Sequence, residues 1–186
     1  YLVQPTYVYS NIDHVLINVS VTGINKVYDG SLNATVNITG LVLNEADSAN
    51  ITLSAATAVY LNKNVGANKT INVSNISISG SAARNYYVSN ASAVTTANIT
   101  KATLVIAPPA LNKTSDGTPQ ANVTLPDNRV LGDLLTVKYK TATFATANAG
   151  SSIGVNVTGI KVTGTDIGNY NFSTTATTTA NIAQKT

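Results

Sequence analysis

Along most of the chain, apolar and polar residues take turns. Asn33-Ala34-Thr35-Val36-Asn37-Ile38-Thr39 and Ile71-Asn72-Val73-Ser74 alternate cleanly, and Leu134 to Phe144 is a longer run with the same tendency. Successive side chains of a strand point to opposite faces, so a period of two predicts strands with one buried and one wet face. Val, Ile, Thr and Tyr fill these runs, and Gly, Asn, Asp and Pro separate them. Asp29-Gly30 and Asp116-Gly117 supply the positive φ that a tight turn needs. The pattern predicts an all-β protein.

The pattern also repeats. A shift of 84 residues lays 51–88 on 135–172 without a gap, and 11 of the 38 positions are identical. The shared positions include Asn64 and Gly66 with Asn148 and Gly150, Asn72-Val73 with Asn156-Val157, Gly80 with Gly164, and Asn85-Tyr86 with Asn169-Tyr170. Upstream, 25–30 pairs with 112–117 at a shift of 87, and downstream Ala97-Asn98-Ile99 pairs with Ala180-Asn181-Ile182. Six or seven strands in each repeat suit a small sandwich or Greek-key domain. A solenoid, with coils of about 20–30 residues, fits poorly. The phase reads 1–13 as the closing strands of a preceding repeat, 14–100 as a first complete repeat and 101–186 as a second, more degenerate one. It leads us to expect an Asn before Tyr1 in a longer parent chain.

Composition narrows the chemistry. Cys, Met and Trp are absent and only 10% of residues are charged. There is therefore no disulfide framework, thiolate metal site or cysteine nucleophile. The net charge of +3 is spread from Lys26 to Lys185 without a cluster, which argues against nucleic acid as a partner. No apolar run approaches the roughly 18 residues that cross a bilayer, so no membrane insertion is expected within this segment.

At these residues the chain resembles the YDG or MBG repeats, bacterial immunoglobulin-like modules strung along giant haemagglutinin-like adhesins. Their pattern appears here as Tyr28-Asp29-Gly30, Asn64-Val65-Gly66 with Lys69, Gly80 to Asn85-Tyr86, and Ala97-Asn98-Ile99-Thr100. The second copy departs from it, with Ser115 in place of Tyr and Ile153 in place of Lys69. The resemblance implies tandem small immunoglobulin-like β-sandwich domains in an extracellular, surface-exposed array. It names no ligand.

Catalysis needs a nucleophile beside a base, or a pair of tuned carboxylates. His14, the one imidazole, sits where one repeat ends and the next begins, and reads as a linker residue. No catalytic residue, cofactor or metal site is assigned, and no enzyme activity is expected. Of the acids, Glu45 and Asp47 alone are closely spaced, and the junction Ile99 to Leu104 offers no carboxylate to the six to eight oxygens that calcium takes. Asp29 and Asp116 read as turn caps. Tyr28, Gly66, Gly80, Asn85, Gly117, Gly150, Gly164 and Asn169 read as turn and corner positions. Tyr86 and Tyr170 are expected to pack their rings inside and anchor their hydroxyls to backbone, in the manner of a tyrosine corner.

Thirteen Asn-x-Ser/Thr sequons are present, and Asn33, Asn37, Asn50, Asn68, Asn98, Asn112, Asn122 and Asn156 are candidate N-glycan acceptors. Strand alternation writes the same motif, because residues i and i+2 share the polar face around an apolar middle residue, as in eleven of the thirteen. Asn68 and Asn112, each followed by Lys, read instead as loop acceptors.

Three function classes follow. The first is a stalk of repeats projecting a distal binding region, partnered by neighbouring repeats of the same chain. The second is a segment of a polymerised filament or surface layer with lateral self-association. The third is a module that itself binds glycan or protein.

Overall fold

A computed structural model describes residues 13–42 and 44–186. The segment read as the end of a preceding repeat lies, but for Asp13, outside the described residues. The described chain is all-β in two tandem β-rich repeats, with a single four-residue α-helix. The first repeat runs β1 (Val15–Ile17), β2 (Val19–Ile24), β3 (Lys26–Val27), β4 (Thr35–Gly40), α1 (Glu45–Ser48), β5 (Thr52–Tyr60), β6 (Gly66–Ser79), β7 (Tyr86–Val88) and β8 (Ser92–Thr100). The second runs β9 (Ala102–Leu104), β10 (Lys113–Thr114), β11 (Thr136–Lys138), β12 (Thr141–Phe144), β13 (Gly150–Thr158), β14 (Lys161–Thr163), β15 (Tyr170–Phe172) and β16 (Thr175–Ala183). A 3-10 turn, Ala83–Asn85 or Ile167–Asn169, leads into β7 and β15.

Both repeats wire their strands alike. The first has a four-stranded sheet in the order β3-β8-β6-β5, and the second one in the order β10-β16-β13-β12. The short edge strand of each is parallel to the closing strand, with Lys26 opposite Ile99 and Lys113 opposite Ile182. The opening strand of each repeat is likewise parallel to the strand that follows the 3-10 turn, Val15 opposite Tyr86 and Ala102 opposite Tyr170. A parallel neighbour cannot be joined by a short hairpin, so β1 and β3, and β9 and β10, wait until nearly the full repeat has run before they are paired, whereas β2 pairs antiparallel with the nearby β4.

The chain divides into two compact units whose borders are not those of the sequence repeat. Of the described residues, one comprises those within 13–25, 32–61 and 68–98, and the other comprises 26–31, 62–67 and 99–186. In the first unit Ile17, Tyr60, Ile71, Val73, Ile76 and Ala97 are buried. In the second, alternation along β13 and β16 turns Val155, Val157, Ala180 and Ile182 inward against Ala142, Phe144 and Ile160. Burying each such side chain contributes about 1.5–3 kcal/mol.

The run Leu134 to Phe144 is not one strand. It breaks at Tyr139-Lys140 into β11 and β12, and Leu134 is 67% exposed. The cause lies opposite, at Gly159, whose φ of 67° bends the chain between β13 and β14 and brings it so close to Lys140 that a Cβ would stand 2.6 Å from that residue's own. β12 then pairs with β13 and β11 with β14, in separate sheets. At the matching place in the first repeat Asn75 takes φ 54°, yet β6 runs through unbroken.

Candidate functional site

Three side chains of the second unit converge on one carboxylate. Asp133 closes a turn in which its N–H donates to Val130 O at 3.1 Å, Gly132 taking φ 93°. The side chain has no solvent exposure. Its Oδ2 accepts from the Tyr170 hydroxyl at 2.6 Å, both oxygens accept from the Tyr28 hydroxyl at 2.9 and 3.0 Å, and Oδ1 accepts from Lys63 Nζ at 2.9 Å. Tyr170 also accepts, from the Val130 N–H at 2.9 Å, so its hydroxyl is used in both directions. Asp166 stands 4.0 Å from Lys63 Nζ and takes the Leu134 N–H.

The Tyr-Asp-Gly segment delivers Tyr28. Its N–H donates to Thr100 O at 2.8 Å, and Gly30 at φ 75° lets Val130 approach to 2.5 Å from where a Cβ would sit. Asp29 faces away from the cluster and builds the turn, its Oδ1 accepting from the Ser31 N–H at 2.9 Å, from the Ser31 hydroxyl and from Lys26 Nζ at 2.8 Å. Asp116 does the same with the N–H and hydroxyl of Thr118 and with Lys113, around Gly117 at φ 77°. The loop before β6 delivers Lys63, and the buried Asn169 holds that loop. Asn169 Oδ1 accepts from the Val65 N–H at 3.0 Å, and its Nδ2 donates to Asn64 Oδ1 at 3.3 Å.

The electrostatics fix the charges in place. Burial works against the charge on Asp133, but hydrogen bonds from Tyr170, Lys63 and Tyr28 outweigh it and hold the carboxyl below its ordinary range. Burial and the Asp133 hydrogen bond push Tyr170 up to about 12. Burial likewise raises Tyr28, with the Asp133 contact adding to it, while Asp133 first and Tyr28 second hold Lys63 protonated well past its usual value. At neutral pH the cluster is one carboxylate, one ammonium and two neutral phenols. Such a group holds chain segments together through charge-assisted hydrogen bonds.

Tyr86 is the counterpart of Tyr170 in the first unit. Its ring is buried and its hydroxyl donates to Asp47 Oδ2 at 2.9 Å, burial and that contact raising its pKa. Both corner tyrosines therefore donate to a carboxylate; Tyr170 also has the expected backbone anchor, from the Val130 N–H, whereas the Tyr86 hydroxyl is held by Asp47. A carboxylate makes the stronger, charge-assisted bond, and each lies in the connection leading into the strand that begins at Thr52 or Thr136. Reading the sequence missed Asp47, Asp133 and Lys63 as partners. A signal was present, because an Asp lies 39 residues before Tyr86 and 37 before Tyr170.

The remaining corner glycines separate by role. Gly80 and Gly164 adopt φ 111° and 138°, and a Cβ there would meet Asn50 O at 2.1 Å and Leu134 O at 2.0 Å. Gly66 and Gly150 open β6 and β13 without a positive φ.

Of the candidate acceptors, Asn33, Asn37, Asn50, Asn68, Asn112, Asn122 and Asn156 are exposed and Asn98 is half-buried. Asn68 is in β6, at a positive-φ kink (49°), and not in a loop. Its N–H donates to Asn98 Oδ1, and the Asn98 N–H donates in turn to Asn25 Oδ1. Ser152, Asn181 and Asn112 form the same relay in the second repeat. Asn112 immediately precedes β10. Among the described residues, no three His, Cys, Asp or Glu side chains gather as a metal ion would require.

No curated protein and no solved structure matches the chain. A family model described as the YDG domain matches residues 15–96 and again 99–180, so that both halves carry the same module. The chain therefore belongs to the YDG domain family, as two tandem copies.

Proposed function

We propose that this chain is a spacer segment in the stalk of a long extracellular surface protein, its partners being neighbouring repeats of the same chain and its role mechanical. One observation carries the reading. Segments 26–31 and 62–67 of the first copy fold into the same compact unit as the second copy, where Tyr28 and Lys63 converge on Asp133. The residues that mark the family thus go into structure, as a scaffold requires. A corner whose phenols and carboxylate are buried and mutually satisfied is poorly placed to recognise a ligand.

The test is a binding panel with the 186-residue chain on immobilised glycans, extracellular-matrix proteins and cells. A spacer binds none of them. Saturable binding to any would replace this reading with that of an adhesive module, and fibres that dissociate into short chains would replace it with that of a filament subunit. The exposed sequon asparagines leave room for glycans on the outer strand faces. An intact mass equal to the bare polypeptide, measured on protein from its native source, would dismiss glycosylation.

A further inference from the structure

The first copy carries the same corner as the second, in a different state. Asn169 is 4% exposed, with both ends of its amide engaged, whereas its equivalent Asn85 is exposed. Asp133 is buried beneath three donors, whereas Asp47 is half-buried and accepts from Tyr86 at 2.9 Å. In the second copy the difference is made by two loops: the Tyr28 loop covers the carboxylate, and the loop of Lys63, Asn64 and Val65 covers the asparagine.

We infer that the Asp47, Asn85 and Tyr86 corner is a docking surface for the paired loops of another YDG repeat, one carrying a tyrosine and a lysine equivalent to Tyr28 and Lys63. The tyrosine hydroxyl and the ammonium would donate to Asp47, and a loop N–H would donate to Asn85 Oδ1. The chain's own second copy cannot supply these loops, because Ser115 stands where Tyr28 does and Ala147 where Lys63 does. The surface thus selects among YDG repeats by two side chains. Two departures tune it: Ala82 replaces Asp166, and Arg84 replaces Gly168. The inference does not depend on where the protein is found or on its being a spacer.

The experiment duplicates residues 15–101 ahead of Val15 in the full chain, which places a Tyr28 loop and a Lys63 loop next to the corner in question. Hydrogen exchange is then followed at Asn85 and Tyr86 of the original copy. The expected result is slowing by about tenfold or more relative to the unduplicated chain, lost again when Asp47→Ala is added. Exchange that is unchanged by the duplication, in a chain whose Asn169 and Tyr170 remain protected, overturns the inference.

A second variant works without an added repeat. Ser115→Tyr with Ala147→Lys gives the second copy the donor pair, so chains should associate head to tail and sediment faster as concentration rises. Asp47→Ala should return them to the monomer, and a double variant with native circular dichroism that stays monomeric at every concentration counts against the surface. Failure of either experiment leaves the spacer reading standing, and ligand binding in the panel leaves this one standing.

Discussion

Tyr28 and Tyr170 meet edge to face, with ring centroids 5.5 Å apart and planes at 78°, and both give their hydroxyl protons to Asp133. The arrangement combines an aromatic contact, worth about 0.5–1.5 kcal/mol beyond area burial, with charge-assisted hydrogen bonds in a water-free setting. Each element depends on the others. Without the carboxylate the two phenols would be buried with unmet donors, and without the rings the carboxylate would lack its cover.

Asp133→Ala should therefore be the most damaging single polar substitution in the second unit. It leaves the two buried hydroxyls without their acceptor, and an unsatisfied buried donor costs roughly 1–3 kcal/mol, while the half-exposed Lys63 keeps water and Asp166. Asp133→Asn keeps the shape and one acceptor and should cost less. Thermal unfolding followed by circular dichroism checks the order, and equal melting of both variants and the parent would refute it.

Stability should fall at both ends of the pH scale. Asp133 is held below its unfolded value of about 3.9, so its contribution is complete above that pH and is lost as pH falls through the folded value. Tyr28 and Tyr170 are raised above their unfolded value of about 10, so their contribution is complete below pH 10. For Tyr170 it is lost as pH rises toward about 12. Tyrosinate absorbance should show Tyr28, Tyr86 and Tyr170 titrating above the ordinary phenol value of about 10, and Tyr170→Phe should remove one of these steps.

Gly80→Ala and Gly164→Ala should each destabilise their own unit, by more than about 2 kcal/mol. The added Cβ is strained by the positive φ and overlaps a backbone carbonyl that has no flexible end to give way. Gly117→Ala meets no neighbour and should cost about 1 kcal/mol from its φ alone. Chemical denaturation of the three variants tests the ranking.

Asp29→Ala and Asp116→Ala should have similar, small effects on stability, since each removes one turn-building acceptor at a half-exposed position. A much larger loss at Asp29 would mean that the turn also governs the placement of Tyr28, which separate denaturation curves would reveal.

The local part of the structure was legible in the sequence. Alternation along Asn33 to Thr39 marks β4, Asp-Gly marks two positive-φ turns, and the recurrence of Gly80 and Gly164 marks two close approaches. The nonlocal part was not. The parallel pairing of Lys26 with Ile99 leaves no periodic trace, because the strand is two residues long. The break at Lys140 depends on Gly159 across the sheet. The Asp133 cluster escaped because its members come from four separated segments, and a lone Asp beside Gly132 looks like turn chemistry. Asp47 was visible but was weighed as half of a calcium pair with Glu45, whereas it serves a tyrosine 39 residues on.

Asp133 follows Tyr28 by 105 residues. On a ribosome adding roughly 5–20 residues per second, the tyrosine leaves the tunnel about 5–20 s before its acceptor does. Once the Lys63 loop has followed, both loops wait for an acceptor that is still 70 residues behind. The first corner to emerge after them is that of Asp47, Asn85 and Tyr86 in the same copy, so order of synthesis alone does not choose the partner, and the loops must pass this corner over until Asp133 and Tyr170 follow.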